Sequence, residues 1–462
     1  MDLTYDTALP LLSRHGQAHI LRFWSRLNDA QKKDLLTQVE SLDFDGVRAM
    51  RALLASRGVH GPGAAIEPGP VWTLTAAERQ LAGAAGEAAL RAGQVGVLLV
   101  AGGQGSRLGF VGPKGAFPVG PITQAPLFAI HARKILALEQ RFGKGIPFYI
   151  MTSRENDGPT REFFRRHRHF GLSEERVFFF VQGMWPALDE HGLIVLDRPD
   201  RLFMSPDGHG GTLAALRTNG MLDNMAGRGL TTLFYFQVDN PLVEVADPVF
   251  IGAHLERQSD VSVKVCAKRD PDEGLGVVAV RNGRSAVVEY TELTPEQKHE
   301  KGPDGRLKFL FGSVAIHVFA LSFLQRAAAR RLPLHLAHKK VPCCDENGAT
   351  VKPAAPNAYK FEQFIFDVLP DAERALNVEF AREEEFSPVK NASGLDSADT
   401  ARRDMMLKFA RWFESCGVAV PRDADGRLRH RLEIDPCYAL DPAELKARLP
   451  AGFTITGDTL LA

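Results

Sequence analysis

Cysteine is scarce in this sequence. Its five residues, Cys266, Cys343, Cys344, Cys416 and Cys437, show no C-x-x-C spacing, and an odd count in a 462-residue chain does not make a disulfide framework. His335 and His338 precede Cys343 and Cys344, but H-x-x-H followed by C-C is not a usual zinc spacing. His15 and His19 lack the glutamate of a metalloprotease helix and enclose Gly16. Excess charge is also missing. The 56 Lys and Arg residues balance 56 Asp and Glu, so no global field favours nucleic acid or an anionic membrane, and any anion site must be local. No apolar run approaches the roughly 18 residues of a membrane span. The start, MDLTYDTALPLLSRHGQ, carries acids and lacks the apolar core of a signal peptide. Repeats, low-complexity tracts and assembly signals are absent, so the oligomeric state is not legible. The expectation is a reduced, cytoplasmic protein with neither a nucleic-acid nor a membrane partner.

What is present is an ordinary globular composition, 45% apolar and 24% charged, with room for two or three domains. Residues 1–94 read as an N-terminal helical region. Apolar residues recur at helical intervals from Leu11 to Leu27, Asp29 and Thr75 are candidate N-caps, and Gly93 is a candidate stop. The stretch Gly61 to Pro70, GPGAAIEPGP, reads as a connector. Residues 95–395 alternate strand-like and helix-like runs, which implies an α/β domain with a mixed, largely parallel sheet and ligands at the carboxyl ends of its strands. Residues 396–462 read as a small C-terminal domain: a helix Ala398 to Ser415, then β-like pieces at Arg427 to Ile434 and Phe453 to Thr456.

The centre of the chain is Val95 to Val119, VGVLLVAGGQGSRLGFVGPKGAFPV. A short apolar run closed by glycines suits a strand buried on both faces. The loop is neither a P-loop nor a G-x-G-x-x-G dinucleotide turn. Gly102 and Gly103 would let backbone N–H groups approach a phosphate, and Arg107 and Lys114 would supply cations beside them. A tight strand-to-helix turn without chemistry remains the bland alternative.

Further along, Gln182-Gly183-Met184-Trp185-Pro186 follows a strand-like run, so Gln182 can either cap a turn or offer its paired donor and acceptor to a pyrimidine edge. Pro206 to Gly211, PDGHGG, is either a flexible turn or a close-approach loop containing Gly208 and His209. Asp239, closing the strand LFYFQVD, is either a turn residue or a Mg²⁺ ligand. Asn282-Gly283 predicts a hairpin turn, after which Glu289 interrupts an apolar strand pattern. Lys390 lies in EFSPVKN, where a solvated surface cation is the plain reading.

Taken in order, Leu99 to Gly109 with Pro113-Lys114-Gly115, and then the Gln182, Gly208, Asp239, Gly276, Gly312 and Lys390 segments, resemble the signature of the eukaryotic-type UDP-sugar pyrophosphorylases, nearest the UDP-N-acetylhexosamine group. The run Gly16 to Leu27 is similar to that family's N-terminal helical region, and Lys360 to Asp367 to a helix supporting the Lys390 loop. The resemblance implies a Rossmann-like, glycosyltransferase A-like nucleotidyltransferase domain. It implies an enzyme that joins UTP and a hexose 1-phosphate into a UDP-sugar and pyrophosphate, with GlcNAc 1-phosphate as the sugar and Mg²⁺ as cofactor. It assigns Gly102, Gly103, Gln182 and Gly208 to the nucleotide and Arg107, Lys114 and Lys390 to the phosphates. Asp239 is assigned to the metal, and His209, Gly276, Glu289 and Ser313 to the sugar. His209 and Ser313 stand where N-acetylhexosamine members carry Asn. A UDP-glucose, UDP-galactose or broad UDP-sugar enzyme is therefore the alternative, and a non-catalytic nucleotide-sugar binder the remote one.

Overall fold

The computed structural model describes residues 3–57 and 65–462 and divides into two compact units. One comprises Met1–Ala64, Gln182–Thr212 and Arg331–Asp367; the other comprises Ala65–Val181, Leu213–Arg330 and Val368–Ala462. The chain enters the first unit three times, so the units are interleaved in sequence and do not follow the linear segments 1–94, 95–395 and 396–462.

The second unit is built on a ten-stranded sheet. Its strands in chain order are β1 (Ile66–Pro68), β2 (Val95–Val100), β3 (Phe148–Thr152), β4 (Val177–Val181), β5 (Thr232–Gln237), β6 (Val261–Ala267), β7 (Val277–Arg281), β8 (Arg284–Val288), β9 (Phe311–Ala320) and β10 (Ala375–Glu379). They lie in the order β1-β7-β9-β5-β2-β3-β4, with β6 joining β9 to β10 and β8 paired to β7. The block β5-β2-β3-β4 is parallel, and β9 crosses to it antiparallel. Val97, Leu99, Phe148, Ile150, Phe234 and Phe236 on one face and Leu98, Tyr149 and Tyr235 on the other are all essentially inaccessible to solvent, as strands covered on both faces require. Each such side chain contributes about 1.5–3 kcal/mol on burial, and together they make the scaffold rigid where the loops leave it. Thr75 caps the covering helix Ala76–Arg91 through a reciprocal exchange with Glu78. The C-terminal helix Ala398–Ser415 closes a separate small core of Trp412, Phe413, Leu432, Ile434 and Leu445.

The first unit packs helices Tyr5–Arg14, Asp29–Glu40 and Phe44–Ala55 with short hairpins around Leu12, Ile20, Leu35, Met50, Leu188 and Phe361. Among the described residues no helix is long and apolar enough to cross a membrane.

Several local expectations change. Gly16 turns left-handed at φ 66°, so Ala18–Leu21 and Trp24–Arg26 are single 3₁₀ turns and not one amphipathic helix. Asn28, not Asp29, caps the next helix. Within the proposed connector, 61–64 lie outside the described residues, while Ile66–Pro68 forms the edge strand β1 against β7. Gly220, at φ 69°, separates helix Thr212–Thr218 from helix Met221–Gly227, so this stretch is two short helices and not one. Lys360 to Glu362 belong to a strand paired with His335–Lys339, and Ile365–Asp371 is a 3₁₀ run, because Phe361 must alternate into the core. In the tail, Thr459–Leu461 and not Phe453–Thr456 pairs with Leu432–Ile434; Phe453 stacks on Phe413 instead.

Candidate active site

Strand register determines what meets what at the carboxyl edge. Val100 lies opposite both Gln237 and Met151, so the glycine loop, Asp239 and the loop after β3 leave the sheet side by side. Ala101 N–H donates to Met151 O at 2.8 Å and Val238 N–H to Val100 O at 3.1 Å, which carries the alignment one residue past each strand. Lys114 N–H donates to Gly103 O at 3.1 Å, folding the PKG segment back over the loop. Its ammonium then reaches Asp239 Oδ2 at 3.1 Å. Val389 N–H donates to Asp239 O at 2.8 Å, so the segment carrying Lys390 is fastened to the same residue. Burial alone would raise the Asp239 carboxyl; the charges of Lys114 and Lys390 outweigh it and hold the group below the usual carboxylate range. Three residues separated by more than a hundred positions in sequence thus form one charged cluster.

Arg107 stands apart from that cluster. It is exposed on the short turn Ser106–Leu108 and makes no hydrogen bond or ion pair with another described residue. A Cβ on exposed Gly103 would meet only Lys114 Cδ, at 4.0 Å. Packing therefore does not demand glycine there, whereas close approach by a ligand would.

Two supporting residues escaped the sequence reading. Asn156 is fully buried, and its amide donates to Ala101 O at 2.8 Å and Gly103 O at 3.2 Å while accepting from Ser153 N–H at 2.8 Å. It holds the glycine loop open from below. A polar residue shortly past the largely apolar strand β3 was the available signal. His131 Nε2 lies 3.0 Å from Val238 O. Burial, then the charge of Lys134, pushes its pKa down to about 3, so it is a neutral donor steadying the backbone before Asp239.

The sugar-assigned residues of this unit also converge. The hairpin turns at Asn282-Gly283, both at positive φ, as its sequence predicts. Ser313 N–H donates to Gly276 O at 2.8 Å, and a Cβ on Gly276 would lie 3.2 Å from Glu289 Oε1.

In the first unit, strand Met184–Pro186 pairs with Met204–Pro206, bringing Gln182-Gly183 beside Asp207-Gly208-His209. Asp207 N–H donates to Gly183 O at 3.1 Å, and Gly208 is left-handed at φ 84° against Gln363 O. The Gln182 side-chain amide makes no hydrogen bond among the described residues, so it does not cap the turn. His209 accepts the Ile365 N–H at Nδ1, 3.1 Å away, and packs against the touching rings of Phe364 and Phe366. Burial, then neighbouring His335, lowers it to about 4, leaving a neutral ring whose Nε2 carries the hydrogen. Burial pushes Asp207 up to about 7, and its Oδ1 has no hydrogen-bond partner.

For a divalent cation, Asp239 offers one ionised carboxylate at the mouth of the glycine loop. Mg²⁺ characteristically takes one or two protein carboxylates and completes its shell with phosphate oxygens and water. The donor set fits that pattern. The described residues hold one cluster of three carboxylates, Glu244, Asp247 and Glu385, already occupied by lysines: Lys264 pairs with Asp247 and Glu385, and Lys408 with Glu244.

Residues 73–407 match the profile of the UTP–glucose-1-phosphate uridylyltransferase family. The chain belongs to that family. It is 38% identical over 430 residues to UDP-N-acetylhexosamine pyrophosphorylase-like protein 1 of Homo sapiens, covering 88% of this chain and 85% of that one. It is 36% identical to UDP-N-acetylglucosamine diphosphorylase 2 of Arabidopsis thaliana, covering 94% and 90%. The crystal structure of uridine diphosphate N-acetylglucosamine pyrophosphorylase from Trypanosoma brucei in complex with inhibitor superimposes with a TM-score of 0.81 at 28% identity, covering 96% and 94%. As a uridylyltransferase of this family the chain is an enzyme of nucleotidyl transfer, which a glycine loop flanked by Lys114 and Lys390 is suited to perform.

Proposed function

We propose that the chain converts UTP and N-acetylglucosamine 1-phosphate into UDP-N-acetylglucosamine and pyrophosphate. The observation that carries this is the Lys114–Asp239–Lys390 cluster at the carboxyl edge of β2 and β5. The names of the relatives favour the N-acetylated sugar. A phosphate oxygen of the sugar 1-phosphate forms a bond to the α-phosphorus of UTP, and the bond from that phosphorus to the β-phosphate oxygen breaks with departure of pyrophosphate. Both reactants are anions, so the protein's task is to hold them in line and offset repulsion, with no covalent intermediate. Gly102 and Gly103 cradle the triphosphate, Arg107 and Lys114 stabilise the leaving pyrophosphate and α-phosphate, and Lys390 binds the sugar phosphate. Gln182 reads uracil beside Gly208, while His209, Gly276, Glu289 and Ser313 shape the sugar site. Mg²⁺, held by Asp239, would add positive charge against the phosphate oxygens. We place the enzyme in the cytoplasm, a reading supported by five cysteines that are all thiols.

Pyrophosphate release from UTP and Mg²⁺ with GlcNAc, GalNAc, glucose and galactose 1-phosphates in parallel tests the assignment. Preference for the N-acetylated pair is expected. His209 and Ser313 favour the second reading, a plain-hexose enzyme, which preference for glucose or galactose 1-phosphate would establish. No release with any of the four would sink both.

A further inference from the structure

Lys390 sits at the end of a loop, yet that loop is bound to the sheet more tightly than a surface cation needs. Asn240, next to Asp239, donates from Nδ2 to Glu385 O at 2.6 Å and accepts from Ser387 N–H at 3.2 Å. Ser387 Oγ donates to Asp404 Oδ2 at 2.7 Å, and Lys390 N–H to Asp396 O at 2.6 Å. The side chain of Glu385 turns inward, where 6% of its surface remains exposed, and pairs with Lys264, exposed by 3%. Lys264 also holds Asp247 Oδ2 at 2.8 Å, and Glu385 Oε2 accepts the Glu244 N–H at 3.3 Å. Lys408 bridges Glu244 and Glu384 O, and Lys134 donates to Pro241 O and Val243 O.

Burial opposes the charge on Lys264, but Asp247, Glu385 and Glu244 around it hold the ammonium well above the ordinary lysine range. Such networks add little net stability compared with an apolar packing of the same volume, and their attested use is to specify a geometry. Lys264 is also the rigid end of the connection. It lies within β6 opposite Val378 of β10, between Val263 and Val265, neither of which reaches solvent.

We propose that Lys264 is a positioning residue for nucleotidyl transfer: acting through Glu385, with Asn240 as the second tether, it sets the distance of Lys390 from Asp239. This rests on the assignment of Lys390 to the sugar 1-phosphate. The sheet supplies the fixed point, the ion pair transmits it to the loop, and Asn240 registers the loop against the residue beside the phosphates.

The test is a double-mutant cycle. Lys390→Ala, Lys264→Met, Glu385→Gln and each of the latter two combined with Lys390→Ala are assayed on the intact enzyme. Assays are run below each variant's Tm and normalised to folded protein. A misplaced cation costs on the order of 10- to 100-fold. Lys264→Met and Glu385→Gln are therefore expected to lower kcat/KM for the sugar 1-phosphate by at least about 10-fold while changing KM for UTP by less than about 3-fold. They should cost almost nothing further in the Lys390→Ala background. Lys264→Arg, which keeps the charge, should recover part of the loss. Glu385→Gln preserves shape and leaves the Lys264–Asp247 pair in place, so it answers the question if Lys264→Met fails to fold. Equal losses toward both substrates, or full additivity with Lys390→Ala, would overturn the proposal and leave Lys264 a structural residue. If Lys390→Ala itself leaves sugar 1-phosphate kinetics unchanged, the assignment of Lys390 fails first.

Discussion

Two clusters of buried ionisable groups, one in each unit, answer burial in opposite ways. In the first, Asp207 is raised to about 7 and His209 lowered to about 4, each mainly by burial. Both are driven toward their neutral forms. In the second, burial acts on Asp239 and Lys264 just as strongly in principle, but counter-charges from Lys114, Lys390, Asp247 and Glu385 reverse its effect and keep both ionised. A neutral, partly aromatic surround suits a base edge and a sugar hydroxyl, which are read by hydrogen bonds whose strength depends on exclusion of water. Phosphates need fixed charge. The Asp207–His209 loop and the Lys114–Asp239–Lys390 cluster each carry the electrostatics suited to the group assigned to them.

The charged side should break hardest. Lys390→Ala and Lys114→Met are each expected to lower kcat/KM by about 10²–10³, the range seen when one preorganised electrostatic contact is removed. Steady-state kinetics with each substrate varied in turn checks this. Lys114→Met carries an added cost, because Asp239 loses its contact at 3.1 Å. Asp239→Asn in the Lys114→Met background should restore part of the lost Tm while leaving turnover low. If both lysine variants retained turnover, the contrast between the units would have no bearing on catalysis.

Next in size is the neutral scaffold beside the glycine loop. Asn156→Ala leaves Ala101 O and Gly103 O without the amide donor they share. An unsatisfied buried polar group costs about 1–3 kcal/mol. A lower Tm and a KM for UTP raised about 10-fold are expected, with kcat altered less.

How much of this was readable beforehand depends on sequence distance. The β2 strand with its glycine loop, the Asn282-Gly283 hairpin and Thr75 as a cap are local patterns, and each formed where its residues predicted. Asp239 was readable as a carboxylate at a strand end. Its pairing with Lys114 was not, since the partner lies 125 positions away. Nothing local links Lys264 to Glu385, 121 positions away, so neither stood out in the sequence. Strand β9 was hidden for a different reason: Ala315, at φ 57°, breaks its alternation, and pairing with β6 shifts register between Val263 and Val265. Asn156 was missed because the polar residue that serves the glycine loop stands on a neighbouring strand's exit.

On the neutral side, His209→Asn sharpens the comparison without adding charge. The ring, packed against Phe364 and Phe366, now offers one Nε2–H donor; an amide offers both donor and acceptor. The ratio of kcat/KM for GlcNAc 1-phosphate over glucose 1-phosphate should rise, by about 10-fold if this side chain faces the 2-substituent. An unchanged ratio would remove His209 from the sugar site.

The smallest effect on turnover belongs to Asp207→Asn, and its value lies in stability. Asp207 is buried, its folded pKa is raised to about 7, and in the unfolded chain it returns to about 3.9. Between those values the folded state binds the extra proton. Its stabilising contribution is therefore fully present below about pH 4 and is lost as pH rises through about 7, with a limiting slope near 1.4 kcal/mol per pH unit. Asparagine cannot ionise but can still accept the Asp207 and Gly183 backbone N–H groups that now favour the carboxylate. Tm measured from pH 5 to 8 should fall less steeply in the variant than in the parent, with the two curves diverging most above neutrality. The opposite sign would mean that Asp207 is held ionised by a partner, and the first unit would then share the charged logic of the second.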